Sequence, residues 1–402
     1  MSAMRVLLLE NIHTCAVDVL SSSGLEITSH PGALGEDALI EALQGVSLLG
    51  IRSGTQLTKR VLDNAPGLLA VGAYCIGTNQ IDLDAASLRG IAVFNAPYSN
   101  TRSVAELVIA EIIVLIRRLY DKIVKAHLGI WDKSFENARE VRGKRLGIIG
   151  YGNIGSQVST LAEAMGMDVS YYDVVDKLTI GNATRVSTLD ELLRIAQVIT
   201  IHVDGNPKNA NLLGEREFGL MRDGVILLNL SRGHVVNIEA LARAIGTGKV
   251  AGAALDVFPR EPKDAAAPLM TPLQGLPNVL LTPHIGGSTE EAQESIAEFV
   301  SQKVIEYLRT GSTFTSVNFP KIALPHADEK QSHRLLHVHR NVPGVLSQIN
   351  GIFAKNNVNV IGQYLRTNEL IGYAIADVDR QYKPSLLDDL LRVDNTITVR
   401  IL

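Results

Sequence analysis

Short apolar runs separated by segments of helical periodicity recur along the first three quarters of the chain. Val6 to Leu9, Leu25 to Thr28, Leu48 to Ile51, Leu69 to Val71 and Ile91 to Phe94 read as strands. Between them, Ala38 to Leu43 and Leu83 to Leu88 carry apolar residues at helical spacing. Such alternation predicts a parallel sheet covered by helices on both faces. Ser103-Val-Ala-Glu106 has the spacing of a capping box and is expected to open a long apolar helix. From Arg145 the alternation resumes, with strands ending near Tyr172, Ile201, Asn229, Asp256 and Thr282. Ser288-Thr-Glu-Glu291 has the same capping spacing and heads a helix running to about Leu308.

After Gly311 the pattern changes. Residues 317–330 contain Pro320 and Pro325 and little periodicity, as a linker does. Beyond it, Arg334 to Arg340 alternates like a strand, and Val345 to Lys355 is amphipathic at helical spacing. Val358 to Arg366 and Ile371 to Val378 read as strands joined by a turn near Asn368. Leu386 to Leu391 is a helix, and Thr396 to Leu402 a last strand. This β-α-β-β-α-β order is ferredoxin-like. The expected organisation is α/β: two Rossmann-like, doubly wound parallel-sheet lobes and a C-terminal ferredoxin-like domain. The first lobe takes residues 1–99 and 287–320, the second 100–286, the linker 321–330 and the last domain 331–402.

One stretch carries specific chemistry. Arg145-Leu-Gly-Ile-Ile-Gly150-Tyr-Gly152-Asn-Ile-Gly155 runs from an apolar strand through Gly-x-Gly-x-x-Gly into a helix pattern. A second strand, Val169 to Tyr172, then ends in Asp173. Strand, glycine turn, helix, strand and acid in this register form the complete dinucleotide fingerprint. Gly150 permits the tight turn, Gly152 lets the backbone approach a pyrophosphate, and Gly155 lets helix pack on strand. Free N–H groups at the helix start, around Asn153 and Ile154, would hold the pyrophosphate. Asp173 would accept hydrogen bonds from the ribose hydroxyls and repel a 2′-phosphate, so the expected cofactor is NAD.

Composition narrows the rest. The chain has 402 residues and a net charge of −4 without a basic block, which argues against nucleic-acid binding. No apolar run approaches the ~18 residues of a membrane span, and the first run is too short for a signal sequence. The two cysteines, Cys15 and Cys75, offer neither metal-ligand spacing nor a disulfide framework. A reducing, cytoplasmic setting without a bound metal is the resulting expectation.

Ligands of open parallel sheets collect at the carboxyl ends of the strands. In the second lobe Arg232 follows Val225 to Ser231, Glu261 follows Ala253 to Phe258, and His284 follows Val279 to Pro283. An Arg, a Glu and a His facing a nicotinamide suit hydride transfer between NAD and a 2-hydroxy acid. Arg232 would bind the substrate carboxylate and polarise the carbonyl oxygen. His284 would move the hydroxyl proton, and Glu261 would fix its tautomer and raise its pKa. Asp256 is expected to contact the nicotinamide carboxamide, and His202 to line the adenine side or make a structural hydrogen bond.

These motifs resemble the D-isomer-specific 2-hydroxyacid dehydrogenases over essentially the whole chain. The resemblance rests on Gly150 to Gly155, Leu230-Ser-Arg-Gly233, Asp256-Val-Phe-Pro and Thr282-Pro-His-Ile-Gly-Gly287. Ile76-Gly-Thr-Asn-Gln-Ile-Asp-Leu-Asp84 and Phe94 to Glu106 look most like the branch that oxidises D-3-phosphoglycerate to 3-phosphooxypyruvate in serine biosynthesis. The resemblance implies a homotetramer with the active site between two lobes. It implies substrate contacts from Arg52, Ser53, the amides of Ile76 and Gly77, Asn100 and Lys133. Trp131 would pack on a neighbouring subunit or cap its own core. Reduction of 2-oxoglutarate is a side activity the same chemistry allows. Pro31 and Gly54 stand where some relatives carry basic residues, and Asp204 stands where the family usually has Pro. The tail resembles an ACT domain. His339, Asn341 and, from across a dimer interface, Asn359 match positions that bind L-serine as a feedback inhibitor. A glyoxylate or hydroxypyruvate reductase and an NADH-sensing co-regulator remain alternatives.

Overall fold

The computed structural model describes residues 4–262, 267–325, 332–379 and 385–402; half of the expected linker, 326–330, lies outside them. The chain forms two compact units, Met1–Ser99 with Gln293–Leu402, and Asn100–Ala292.

In the first unit, strands β1 (Arg5–Leu8), β2 (Glu26–Ser29), β3 (Leu48–Ile51), β4 (Ala70–Ala73) and β5 (Ala92–Asn95) form a parallel sheet ordered β2-β1-β3-β4-β5. The three inner strands are apolar because helices cover both faces. Leu49 and Val71 enter one core, and Leu48 and Ala70 the other. The helix Glu290–Thr310 lays Ile296, Val300 and Val304 on the second of these cores.

The second unit holds β6 (Arg145–Ile149), β7 (Asp168–Tyr172), β8 (Thr184–Arg185), β9 (Val198–Ile201), β10 (Val225–Asn229), β11 (Val250–Leu255) and β12 (Val279–Leu281). All pairs are parallel, in the order β12-β11-β10-β9-β6-β7-β8. The order reverses between β6 and β9, and a crevice for a dinucleotide opens at such a switch point.

The C-terminal part is an antiparallel sheet of β13 (Ser332–Arg340), β14 (Val360–Thr367), β15 (Ile371–Asp379) and β16 (Thr396–Ile401), ordered β14-β15-β13-β16. Period-2 alternation sorts its faces. Leu335, Ala374 and Ala376 meet the helices Val345–Lys355 and Leu386–Leu391. Leu336, Val338, Tyr373 and Ile375 join the core of Val300, Tyr307 and Phe319. Arg334, 3% exposed, spans that junction. It bonds both Asp377 carboxylate oxygens at 2.7 and 2.8 Å and the carbonyls of Thr310 and Pro325 at 3.0 and 2.7 Å.

One expected cap is absent. The long apolar helix spans Thr101–Arg117, so Ser103 lies inside it and bonds Thr289 Oγ1 at 2.8 Å. Glu106 pairs instead with Arg102 one turn back, at 2.6 Å. The helix begins earlier because Val104 N–H already bonds the Asn100 carbonyl at 3.1 Å. In the second capping sequence the cap is Thr289, whose hydroxyl accepts the Ala292 N–H at 3.2 Å.

Candidate active site

The glycine turn is shaped by close approaches that admit no side chain. Gly150 sits at φ +94°, and a Cβ there would lie 2.5 Å from the His202 carbonyl oxygen. A Cβ on Gly155 would lie 2.2 Å from the Gly150 oxygen. Around Gly152 nothing lies within 4 Å of such an atom. Gly152 also starts the helix Asn153–Ala164 without a side-chain cap. The first amides of that helix are left for an anion. Asp173 Oδ2 accepts the Tyr151 N–H and Oδ1 the Val175 N–H, both at 2.8 Å. A carboxylate offers about four lone-pair positions, so room remains for ribose hydroxyls. Open space at Gly152, uncapped amides and an anchored acid fit NAD.

His202 closes the floor of the turn. It is half-buried, its Nε2 lies 2.9 Å from Thr200 Oγ1, and its Nδ1 is buried with no partner among the described residues. Burial pushes its pKa down to about 3, so the ring is neutral. Asp204 turns into its own loop, where it accepts the Asn206 N–H at 3.1 Å and the Asn209 amide at 2.8 Å. That clasp restrains the loop in place of the rigid proline ring.

Arg232, Glu261 and His284 project from the carboxyl edge of the same sheet. Arg232 follows β10, where Asn229 folds the turn: its amide bonds the Arg232 carbonyl at 3.0 Å, and its oxygen accepts the Ser231 N–H at 3.1 Å. Gly233 must be glycine, since a Cβ would stand 2.0 Å from the Phe258 carbonyl carbon. Gly205 covers the arginine; a Cβ there would lie 3.3 Å from Arg232 Nε.

His284 occupies left-handed backbone, φ +55°, a strained conformation for a residue with a side chain. Asp256 holds it there. This acid, 1% exposed, accepts Thr282 Oγ1 at 2.6 Å and the N–H groups of Ile285 and Gly286 at 2.8 Å each. The expected carboxamide partner thus also clamps the turn that aims the histidine. His284 Nδ1 lies 2.8 Å from Glu261 Oε2, while Glu261 Oε1 accepts the Phe258 N–H at 3.1 Å. A carboxylate only accepts, so Nδ1 carries the proton and Nε2 presents a lone pair. The Glu261 bond raises the His284 pKa against the opposing effect of burial. Burial pushes Glu261 up, but the bond and charge of His284 outweigh it and leave Glu261 below its ordinary value.

In the first unit, Glu10 organises the loop after β3 by accepting the N–H groups of Arg52, Gly54 and Thr55 at 3.1, 2.8 and 2.9 Å. A Cβ on Gly54 would stand 2.9 Å from Glu10 Oε2, so a side chain there would shift the end of that glutamate. Pro31 and Ser53 are exposed, and the Arg52 guanidinium has no bonded partner among the described residues. The N–H groups of Ile76 and Gly77 are likewise unbonded among the described residues, while the Ile76 carbonyl is held by Asn95 at 2.6 Å. Asn100, in the second unit, buries an Oδ1 with no partner among the described residues. Lys133 and Trp131 are exposed, Trp131 by 82%.

In the tail, His339 is buried at 3% exposure, whereas Asn341 and Asn359 are exposed. Asn341 donates to the Asn368 carbonyl at 2.7 Å, which leaves its Oδ1 as an acceptor. Glu10, Asn229, Gly205 and Thr282 were missed from sequence. Their contacts span turns or distant strands, and only the motif neighbours Asn229 and Thr282 carried a local signal.

Comparison with known proteins agrees with this geometry. Residues 109–286 match the D-isomer specific 2-hydroxyacid dehydrogenase NAD binding domain, and residues 335–398 an AHAS small subunit-like ACT domain. The chain is 48% identical to a D-3-phosphoglycerate dehydrogenase of Haemophilus influenzae over 100% of this chain and 98% of that one. It is 47% identical to the Escherichia coli enzyme of that name, over 99% and 97%. Among solved structures, D-lactate dehydrogenase from Aquifex aeolicus, complexed with NAD and lactic acid, superposes with a TM-score of 0.68 at 29% identity, covering 79% of this chain and 100% of that one. A protein from Thermus thermophilus reaches 0.69 at 33% identity, covering 76% and 97%. With its dinucleotide turn, its Arg–Glu–His set and full-length relatives at nearly half identity, the chain belongs to the D-isomer-specific 2-hydroxyacid dehydrogenase family.

Proposed function

We propose that this protein oxidises D-3-phosphoglycerate to 3-phosphooxypyruvate with NAD and is restrained by L-serine bound to its C-terminal domain. The observation that carries the catalytic reading is the 2.8 Å His284–Glu261 pair, set beside Arg232 on the edge that carries the dinucleotide turn. His284 Nε2 takes the proton of the substrate C2 hydroxyl. The C2–H bond breaks with its electron pair, and the C2–O bond becomes a carbonyl. When bound, NAD supplies the acceptor for that hydride. Arg232 holds the substrate carboxylate and the oxygen that carries charge as the bonds change. Glu261 stabilises the imidazolium formed, and in the reverse direction His284 returns the proton. Such acid–base help is worth ~10²–10⁴-fold.

Arg52, Ser53 and the free amides of Ile76 and Gly77 offer donors for a dianionic substrate, with Asn100 and Lys133 as further polar contacts. His202 and Asp256 shape the cofactor side. In the tail, the acceptors of His339 and Asn341 suit an ammonium or hydroxyl group, and Asn359 supplies an amide from a second copy. The helix Val345–Lys355 starts at Gly344, φ +92°, without a side-chain cap, and its first amides suit a carboxylate. Assembly into a homotetramer is supported by the apolar segment Leu128, Trp131 and Phe135, exposed by 71, 82 and 87%. Cys15 and Cys75 form no disulfide with each other, in keeping with a reducing cytoplasm. Among the described residues no helix is long and apolar enough to cross a membrane.

The test is NADH oxidation by the purified protein with 3-phosphooxypyruvate, titrated with L-serine, beside His284→Ala. Saturable turnover that serine suppresses and the variant lacks is expected. Tight NADH binding without turnover on this substrate refutes the reading.

A further inference from the structure

The helix-facing side of β13 carries two neighbouring buried histidines, His337 and His339, each 3% exposed. Their Nδ1 atoms face one another at 3.3 Å. On its far side, His337 Nε2 lies 3.0 Å from Thr396 Oγ1, which lies 3.3 Å from the Leu390 carbonyl oxygen. A carbonyl can only accept, so the chain runs one way when the Thr396 hydroxyl proton points to Leu390. Thr396 donates to Leu390. Its oxygen then accepts from His337 Nε2–H. A neutral His337 protonated at Nε2 has a lone pair at Nδ1, so the proton between the two rings belongs to His339 Nδ1. His339 Nε2 is consequently an acceptor. Reversing every bond would turn the Thr396 hydroxyl away from the Leu390 carbonyl, which would keep the Val393 N–H at 3.3 Å, and would move the single His339 proton from Nδ1 to Nε2.

The surroundings support neutral rings. Burial lowers both pKa values, with the neighbouring imidazole contributing at His337, which falls to about 4. The His339 ring needs the strand opposite to be bare. His339 pairs with Gly372 across the sheet, and a Cβ there would stand 2.2 Å from His339 Nε2.

We propose that Thr396 and His337 are positioning residues of the effector site: their relay holds His339 with Nδ1 protonated and Nε2 offered as an acceptor. The ligand group that His339 takes is therefore a donor, the ammonium or hydroxyl of L-serine and not its carboxylate. This rests on the reading that the C-terminal domain binds L-serine.

The experiment is calorimetric titration of the full-length protein with L-serine, for wild type, Thr396→Val and Thr396→Ser. It is joined to long-range ¹H–¹⁵N spectra of ¹⁵N-histidine-labelled protein, with His337→Gln to assign signals. Thr396→Val keeps the shape and removes the hydroxyl; its affinity is expected to fall about tenfold, one hydrogen bond's worth. Thr396→Ser restores the hydroxyl and is expected to stay within about twofold of wild type, because the same bond re-forms. The spectra should show His339 protonated at Nδ1 and His337 at Nε2. Unchanged affinity in Thr396→Val, equal weakening in both variants, or a wild-type His339 protonated at Nε2 each overturns the relay. A wild type that does not bind serine refutes the effector reading, and the spectra still decide the relay.

Discussion

Glu111 lies within the helix Thr101–Arg117 at 4% exposure, and neither carboxyl oxygen has a hydrogen-bond partner among the described residues. Burial first, and the Asp256 carboxylate second, push its pKa up to about 8. In an unfolded chain a glutamate titrates near ~4.3. Between those values the folded protein keeps a proton that the unfolded chain has released. Stability therefore falls with rising pH, by ~1.4 kcal/mol per unit, and the loss levels off once Glu111 ionises in the fold as well. Glu111→Leu removes that slope, and Glu111→Gln removes the titration while keeping a polar group. From about pH 5.5 to 7.5 the advantage of either variant over wild type should widen by ~2.5 kcal/mol. For a body of ~150–250 residues that is ~5–10 °C in melting temperature. Thermal melts of the three proteins across this range are the assay. Parallel curves, with a gap that does not change with pH, would refute the reasoning, because they would mean that the buried carboxyl titrates as it does in water.

Three further outcomes follow from the site and its supports. Glu261→Gln should lower kcat at least ~10-fold and lower the His284 pKa, because the bonded carboxylate is what raises it. Oxidation needs neutral His284, so the acid limb of its pH–rate profile should move to lower pH; an unmoved limb contradicts the assignment. Gly155→Ala places a Cβ 2.2 Å from the Gly150 oxygen. It should cost ~1–3 kcal/mol of stability and abolish NADH binding, read by fluorescence titration. Arg334→Ala leaves Asp377, 17% exposed, without its cation and should destabilise the protein by up to ~3–5 kcal/mol, measured by denaturant unfolding. A loss below ~1 kcal/mol would place this pair among weak surface bridges.

Much of the chain was legible from local pattern. Strands of the two parallel sheets are short and apolar because both faces are covered, and the tail alternates because its sheet has two different neighbours. The fingerprint from Gly150 to Asp173 could be read because Gly150 and Gly155 answer contacts a few residues away or across one strand, while Gly152 leaves open space. Arg232, Glu261 and His284 could be placed because strand ends in an open sheet share one edge.

What tertiary structure alone decided depends on partners far apart in sequence. Ser103 looked like a helix cap but meets Thr289. Gly54 stands where some relatives carry a basic residue, and the fold gives its N–H to Glu10, 44 residues away in sequence. Asp256 reads in sequence as an expected cofactor contact; only the fold shows it clamping the turn that strains His284 into position. His337 resembled any alternating strand residue until Thr396 came beside it and set the direction of a proton chain. Hydrophobic period records which face a residue takes, since burial is a property of the element. Hydrogen-bond partners are chosen when distant elements pack, and the polar devices of this protein were settled at that level.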